Sequence, residues 1–218
     1  MIVSMWMTRD VLSIERNMPV AQAAALMKSR NIRNLPVLAI RDGTPKVVGL
    51  LSLTDLLRAL PAKFDPLAPD SHSAVLTAGD VMRHDPSTTT PESPIEEAAT
   101  AMRREKIGAL PVVRDGTLVG IITESDIFQA FAKILETAPG DARVTFDVTV
   151  GEDIFVWLAD ATRRRGVRVN SFIVTEQGDR PVCVVRFRGG RMEMFLDDLW
   201  KSGHKVLNIL RIVSPRPR

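Results

Sequence analysis

The sequence has few of the residues that build metal and redox sites. Among 218 residues there are one cysteine, no tyrosine and three histidines. A single cysteine, Cys183, excludes an internal disulfide, and the reducing cytoplasm is the expected location of such a chain. His72, His84 and His204 lie far apart, and no Cys/His cluster has the spacing of metal ligands. The sequence therefore predicts no metal site and no cysteine–histidine catalytic pair.

Long apolar runs and strong charge of one sign are also missing. No apolar run approaches the roughly 18 residues that a membrane-spanning helix needs. The first ten residues, MIVSMWMTRD, lack the basic segment and the apolar core of a signal peptide. The net charge is +3, which is too small for a basic tail. We expect a cytoplasmic protein without a membrane segment.

The chain contains one supersecondary unit twice. AQAAALMKSRNIRNLPVL at 21–38 is similar to EEAATAMRREKIGALPVV at 96–113, displaced by 75 residues. The displacement falls to 71 residues farther on, where VVGLLSLTDLLRAL at 47–60 matches LVGIITESDIFQAF at 118–131. Between these stretches each copy has an Asp-Gly pair flanked by apolar runs, which is typical of a hairpin turn. A period of this kind indicates two copies of one folding unit.

Each copy has the pattern of a β-α-β-β-α unit. Ser93, Pro94 and Glu96 are predicted to form a capping box at the start of a helix in the second copy. One such unit buries little surface, so we expect the two copies to pack sheet against sheet. The predicted first strands and helices are 11–14 and 19–30 in the first copy, and 87–90 and 94–105 in the second.

The last third of the chain has a different pattern, and its order of elements predicts a ferredoxin-like β-α-β-β-α-β fold. A stretch rich in Pro, Asp and Ser separates the two copies and predicts a linker. The predicted division of the chain is 1–62 for the first copy, 63–75 for a linker, 76–135 for the second copy, 136–142 for another linker and 143–218 for the C-terminal domain.

One sequence motif occurs at the strand-to-helix junction of both copies. It consists of Gly, two apolar residues and then Ser/Thr-x-x-Asp. Ser52 and Asp55 form the first pair, and Thr123 and Asp126 form the second. One interpretation is a helix cap, in which the hydroxyl accepts from a helix amide and the carboxylate complements the dipole. The other is a nucleotide site, in which the helix start and hydroxyl bind phosphate and the carboxylate binds ribose hydroxyls. One helix start can serve both roles.

These residues carry a resemblance to a tandem pair of cystathionine-β-synthase (CBS) domains, a Bateman module. The matching pairs are MTRDVLSI with VMRHDPSTT, IRNLPVL with IGALPVV, and GLLSLTD with GIITESD. The resemblance implies an α+β protein whose paired repeats bind AMP, ADP, ATP, S-adenosylmethionine or NAD in a cleft. It implies two unequal pockets, because Gly108 replaces Arg33. The implied nucleotide-binding residues are Ile32, Arg33, Asn34, Ser52, Thr54, Asp55, Ile107, Gly108, Ala109, Thr123, Ser125 and Asp126.

The C-terminal third resembles an ACT domain, a small regulatory module that commonly pairs with a copy of itself. GVRVNSFIV is similar to a strand of that family, whereas the family's Asp-x-Pro-Gly turn is replaced by VGEDIF. Amino-acid binding and dimerisation alone are both open for this domain. A CBS pair followed by an ACT domain resembles acetoin-utilisation-type regulatory proteins, which implies a homodimer.

The sequence thus favours a non-catalytic sensor of an adenosine-containing ligand, with no catalytic residues and no cofactor beyond that ligand, acting on its own dimer or on an unidentified protein partner. Two alternatives stay open. The first is a nucleic-acid-binding regulator, which the basic stretch RRRGVR at 163–168 suggests. It is less favoured because no recognition helix or aromatic-rich basic sheet accompanies this stretch. The other alternative is a structural, partner-binding protein with empty clefts.

Overall fold

The computed structural model describes residues 1–59, 76–136, 138–149 and 154–211. The predicted linker at 63–75 lies outside these residues. The chain forms two units, Met1–Ala130 and Phe131–Arg218, and each is described by itself. Within the described residues, no helix is long and apolar enough to cross a membrane.

The first unit contains the two repeats, and each has a helix, an antiparallel hairpin and a second helix. Its sheets have the strand orders β1-β2-β3-β4 and β5-β6. After a short 3-10 helix at Val3–Met5, the elements are β1 (Ile14–Glu15), α1 (Val20–Arg30), β2 (Asn34–Arg41), β3 (Thr44–Ser52), α2 (Leu53–Ala59), α3 (Ala78–Val81), β4 (Arg83–His84), α4 (Ile95–Glu105), β5 (Ala109–Arg114), β6 (Thr117–Thr123) and α5 (Glu124–Ile134).

The predicted hairpins are confirmed, and their turns show why Asp-Gly is used twice. Asp42 and Gly43 have φ of 50° and 73°, and Asp115 and Gly116 have φ of 51° and 74°. A two-residue turn with positive φ at both positions matches the twist of the strands that it joins. The four-residue difference between the copies is therefore absorbed in the hairpin, and the helices that follow start at equivalent places.

Two local predictions in the repeats are wrong. The strand predicted at 11–14 is reduced to β1, and residues 87–90 contribute only a single bridge from Thr89 to Val112. The capping box at Ser93 does not form, because the Ser93 hydroxyl lies against Thr90 instead. Pro94 is the residue that precedes α4, and the first helical amide, that of Ile95, donates to a carbonyl near the chain start.

Each repeat is completed by the segment that precedes the other repeat. The amide of Val3 donates to the carbonyl of Ser93 at 2.9 Å, and Thr8 bridges to Ile121. Conversely, β4 pairs with β3, and the amide of Ala78 donates to the carbonyl of Met18 at 2.7 Å. Residues 1–9 therefore pack on the second repeat and residues 76–84 on the first. This exchange explains why the two repeats form one unit.

The repeated glycine allows the exchanged segments to approach the sheets. A Cβ atom at Gly49 would clash with the side chain of Met82. A Cβ atom at Gly120 would crowd Met7 and the carbonyl oxygen of Thr8. Both glycines therefore serve the packing of an exchanged segment on a central strand.

The second unit has the predicted element order β-α-β-β-α-β. Its antiparallel sheet has the order β10-β7-β9-β8, and the core lies between the sheet and two helices. Phe187 and Phe195 meet in this core with ring centroids 4.6 Å apart. The elements are β7 (Ala142–Asp147), α6 (Ile154–Arg165), β8 (Arg168–Gln177), β9 (Arg180–Arg188), α7 (Met192–Lys201) and β10 (Val206–Arg211).

Candidate functional site

The first Ser/Thr-x-x-Asp motif forms a reciprocal cap at the start of α2. The amide and the hydroxyl of Ser52 donate to Oδ2 of Asp55 at 2.9 Å and 2.6 Å. The amide of Asp55 donates back to the Ser52 hydroxyl at 3.2 Å. Among the described residues, no group donates to the other carboxylate oxygen of Asp55. The capping interpretation is therefore confirmed, and one oxygen stays open to a ligand.

The second motif repeats this geometry at the start of α5. The amide and the hydroxyl of Thr123 donate to Oδ2 of Asp126 at 2.8 Å and 2.7 Å, and the amide of Asp126 donates to Thr123 at 3.3 Å. In both repeats the next amide donates to the residue just before the hairpin: Leu53 donates to the carbonyl of Arg33, and Glu124 donates to that of Gly108. The local structures of the two motifs are thus equivalent.

A cleft of about 700 Å³ between the repeats contains the first motif. The first repeat contributes the ends of β3 and α2, and the second contributes the loop between α4 and β5. The cleft brings together seven of the predicted residues, namely Arg33, Asn34, Ser52, Thr54, Asp55, Ile107 and Gly108.

One part of the cleft is apolar. Leu50, Leu53 and Leu57 line it from the first repeat, and Met102 and Ile107 line it from the second. Leu50, Met102 and Ile107 are buried, whereas Leu53 and Leu57 are exposed. An apolar wall beside a few polar groups is the usual form of a small-molecule site. The cleft therefore combines apolar and polar lining residues.

The other part of the cleft is cationic. Arg33, Arg58, Arg83, Arg103 and Lys106 all line it. None of the five forms an ion pair with another described residue. The acidic groups of the cleft are Asp55 and Glu124. The excess of positive charge suits an anionic ligand.

Nine of the sixteen lining residues are missing from the predicted set, and Arg58, Arg83 and Glu124 are among them. Arg58 lies three residues after Asp55 on α2, and residues three apart share a helix face, so its spacing could have indicated it. No local signal indicates Arg83, because it reaches the first repeat through an exchanged segment. Arg103 and Lys106, which belong to the second copy, line the cleft of the first motif.

Five predicted residues do not line this cleft. Ala109 is buried between the sheets of the two repeats, and Ile32 packs against the core of the first repeat. Thr123 and Asp126 form the second cap. The remaining residue, Ser125, accepts a hydrogen bond from Nη2 of Arg33 at 3.2 Å.

The positions around the second motif that correspond by the repeat to the five cations carry much less charge. Arg33 corresponds to Gly108, which lacks a side chain altogether. Of the other four corresponding residues only one is basic; they are Thr8 for Arg83, Lys28 for Arg103, Asn31 for Lys106 and Gln129 for Arg58. The two copies therefore share the cap and differ in the groups that would meet an anion.

The described residues contain no candidate metal centre and no reactive cysteine. They contain no group of three or more His, Cys, Asp or Glu side chains that could hold a metal ion. Cys183 is buried in the core of the second unit, and burial raises the pKa of its thiol to about 11. A protonated, buried thiol is a poor nucleophile.

Comparison with known proteins agrees with the repeats and the fold. The model of the CBS domain matches residues 3–62 and 78–133, which is more than half of the chain. The chain belongs to the CBS-domain family, and it carries two CBS domains in tandem.

Among solved structures, a Vibrio cholerae protein ascribed to acetoin utilization (AcuB) is 30% identical, with a TM-score of 0.53 over 62% of this chain and 94% of that one. The complex of CBSX2 with AMP is 28% identical, with a TM-score of 0.51 over 62% of this chain and 98% of that one. The expected likeness to acetoin-utilisation-type proteins is thus confirmed for the CBS pair.

The same module also occurs inside a larger enzyme. An inosine-5'-monophosphate dehydrogenase from Korarchaeum cryptofilum is 34% identical over 121 residues, which is 55% of this chain. This chain spans only 22% of that enzyme's length. The likeness to the dehydrogenase therefore concerns a minor part of the enzyme.

Proposed function

We propose that the tandem CBS domains bind an adenosine-containing ligand in the cleft of the first motif and that the chain is a regulatory protein without catalytic activity. One observation carries the proposal. A capped carboxylate, an apolar wall and five cations without ion-pair partners among the described residues line one cleft. The AMP complex of the related CBSX2 supports the ligand class.

Each group in the cleft has a role in this proposal. The open oxygen of Asp55 accepts from ribose hydroxyls, while its other oxygen keeps the cap intact. The base packs against Leu50, Met102 and Ile107. Thr54, at the start of α2, faces the sugar and its first phosphate.

The cations discriminate between the candidate ligands. AMP, ADP and ATP carry increasing negative charge, and NAD carries a diphosphate, whereas S-adenosylmethionine has a cationic sulfonium and no phosphate. Charge-assisted hydrogen bonds to phosphate are the strongest that such side chains make. We therefore expect the cleft to favour ligands with two or three phosphates over S-adenosylmethionine.

The second motif is proposed as a weaker site. Asp126, Thr123 and Ser125 keep the groups that would hold a ribose, but the corresponding cations are mostly absent. A ligand there would gain ribose contacts without phosphate contacts. The expected stoichiometry for ATP is one strong site per chain.

The regulatory mechanism is proposed as a shift between two conformational states. A ligand shifts such an equilibrium only if it binds the two states unequally. The C-terminal unit, whose β-α-β-β-α-β order supports an ACT-type domain, would respond by changing a homodimer or the surface offered to a protein partner. The proposed location is the cytoplasm.

The test is a thermal-shift series with AMP, ADP, ATP, S-adenosylmethionine and NAD on the wild type, Asp55→Ala and Asp126→Ala. A ligand at 100 times its dissociation constant stabilises its site by about 2.7 kcal/mol. We expect the shift to be largest with ATP or ADP, lost in Asp55→Ala and kept in Asp126→Ala. Both variants lose the same cap, so each controls for the other's lower stability.

Other outcomes favour the alternatives. A shift lost equally in both variants would contradict unequal sites. No shift with any ligand would favour a structural, partner-binding protein. Salt-dependent association with DNA or RNA, measured by fluorescence anisotropy, would favour a nucleic-acid-binding regulator.

A further inference from the structure

The outer face of the C-terminal sheet carries two adjacent arginines. Arg143 on β7 pairs in register with Arg186 on β9, and Arg186 pairs with Ser171 on β8. Side chains alternate between the faces of a strand, and the neighbouring residues Val144, Val185 and Phe187 lie in the core on the helix side. The two arginines and Ser171 therefore form a row across the face of the sheet that points away from the two helices.

Arg186 is buried, and no described residue provides it with a counter-ion. It is only 7% exposed, and Nη1 donates to the Ser171 hydroxyl at 3.2 Å. Its Nε atom is buried and has no hydrogen-bond partner. No carboxylate among the described residues forms an ion pair with Arg186 or Arg143. Burial and the positive charge of Arg143 both lower the pKa of Arg186, as expected for a cation that lacks its partner.

The same unit neutralises two other partly buried cations. Arg188 binds Asp141 at 3.0 Å, and Arg165 binds Asp198 at 2.6 Å. A buried charge without a partner is costly, because the fold removes its water and returns no compensating interaction. An exception of this kind, next to a second cation, points to a compensating anion that the described residues do not supply.

The surroundings of the row suit a small organic anion. The next row of the same face has Asn208, Thr145, Val184 and Ile173 in register across β10, β7, β9 and β8. It offers an amide and a hydroxyl beside two apolar side chains. Two guanidinium groups match the planar, two-oxygen geometry of a carboxylate.

We propose that this sheet face binds the carboxylate of a small organic molecule, with Arg186 as its central contact and Arg143 and Ser171 beside it. The site belongs to the C-terminal unit and is independent of the nucleotide cleft. Its ligand neutralises the buried guanidinium, so occupancy stabilises the unit. This gives the unit a ligand of its own to sense.

The test uses the full-length protein in thermal-shift titrations with succinate, acetate and inorganic phosphate, at ionic strength held constant with potassium chloride. The variants are Arg186→Leu, Arg186→Lys and Arg143→Gln. Arg180→Gln is the matched control, since Arg180 is an exposed arginine on the same strand. We expect succinate to raise the Tm of the wild type and of Arg180→Gln with saturation. The rise should be lost in Arg186→Leu and reduced in the other two variants.

The apo variants add a second readout. If Arg186 is a binding residue, Arg186→Leu removes an uncompensated charge and keeps or raises the Tm without ligand. The proposal is overturned if no carboxylate raises the wild-type Tm, or if Arg186→Leu and Arg186→Lys respond like the wild type. A response to phosphate alone also overturns it, because the site would then select a tetrahedral oxyanion.

Discussion

The two units treat positive charge in different ways. In the cleft of the first unit, five cations lie together with no ion-pair partner among the described residues. In the second unit, cations such as Arg188, Arg165 and Lys205 are held by carboxylates at 2.6–3.0 Å. Ion pairs between residues stabilise a fold, whereas neighbouring cations without ion-pair partners repel one another. A bound anion would relieve that repulsion. This difference supports the proposed nucleotide cleft, and Arg186 in the second unit resembles the cations of that cleft in having no ion-pair partner among the described residues.

The two repeats extend this comparison. Both motifs make the same cap, with corresponding distances that agree within about 0.1 Å. The residues around them differ because the exchanged segments and the α1 and α4 ends carry different side chains. The same local motif therefore caps both helices, and in the first copy the cap lies inside a charged cleft.

The largest expected effect comes from truncating one core at a time. Phe195→Ala removes a fully buried ring that contacts Phe187 and Trp157, and it should cost the C-terminal unit about 3–5 kcal/mol. Leu51→Ala is the matched truncation in the first unit. Hydrogen exchange read by mass spectrometry should show lost protection in the truncated unit. Equal loss in both units for either variant would mean that the chain unfolds as a single body.

The next effect tests a paired charge. Asp141→Asn leaves Arg188 without its carboxylate and should cost about 1–3 kcal/mol, since Arg188 is 38% exposed and regains some water. The wild type should also lose this stability in acid. Burial acts to raise the pKa of Asp141, but hydrogen bonds from Arg188 and the Ala138 amide outweigh it, so the folded pKa lies below its usual value.

The sign of the pH dependence follows from that lowered pKa. The stabilisation is fully present above the unfolded pKa of about 3.9 and is lost as the pH falls through the folded value. Urea unfolding of the wild type between pH 6 and pH 3 should therefore converge on that of Asp141→Asn. The exposed Asp160→Asn is the control. A constant gap between wild type and Asp141→Asn down to pH 3 would refute the pairing.

A smaller effect tests the unpaired charges of the cleft. Arg103→Gln and Lys106→Asn should each weaken ATP binding by about tenfold, or about 1.4 kcal/mol, through loss of a phosphate contact. Adenosine binding should change little. Arg104→Gln is the matched control, because Arg104 lies on the same helix, pairs with Glu105 and does not line the cleft. Calorimetry in which all three variants bind ATP like the wild type would exclude a phosphate role.

The smallest effect tests the contact between the copies. Ser125→Ala removes the acceptor of an exposed hydrogen bond from Arg33 and should change stability by less than about 0.5 kcal/mol. ATP affinity should stay within about threefold, because Arg33 becomes free to turn to the ligand. Ser29→Ala, another exposed serine, is the reference. Complete loss of ATP binding in Ser125→Ala would instead place Ser125 in contact with the ligand.

The sequence predicts the local features of the fold better than it predicts which segments pair with one another. The helices after Pro19 and Pro94 and both Asp-Gly hairpins form where they are predicted, because dihedral preferences act over a few residues. The short strands at 11–14 and 87–90 were overestimated, since an edge segment of this kind needs a partner whose position no local pattern supplies.

The residues of the candidate site likewise divide into those that the local sequence indicates and those that it does not. The repeat and the cap indicated Asp55 and Ser52 directly, and seven of the twelve predicted residues line the cleft. Arg83 could not be found, because a segment exchanged between the repeats carries it to the first motif. Asp126 was predicted with the same weight as Asp55, since the sequence does not show which cations surround each carboxylate.

The sequence by itself determined the two copies, their turns and caps and the order of elements in the last third, because these depend on contacts between neighbours in the chain. Only the tertiary structure decided which segments complete each repeat, which carboxylate shares a cleft with five cations, and that Arg186 is buried without a carboxylate partner among the described residues. Those outcomes join residues that lie far apart in the sequence, where burial and charge act through space.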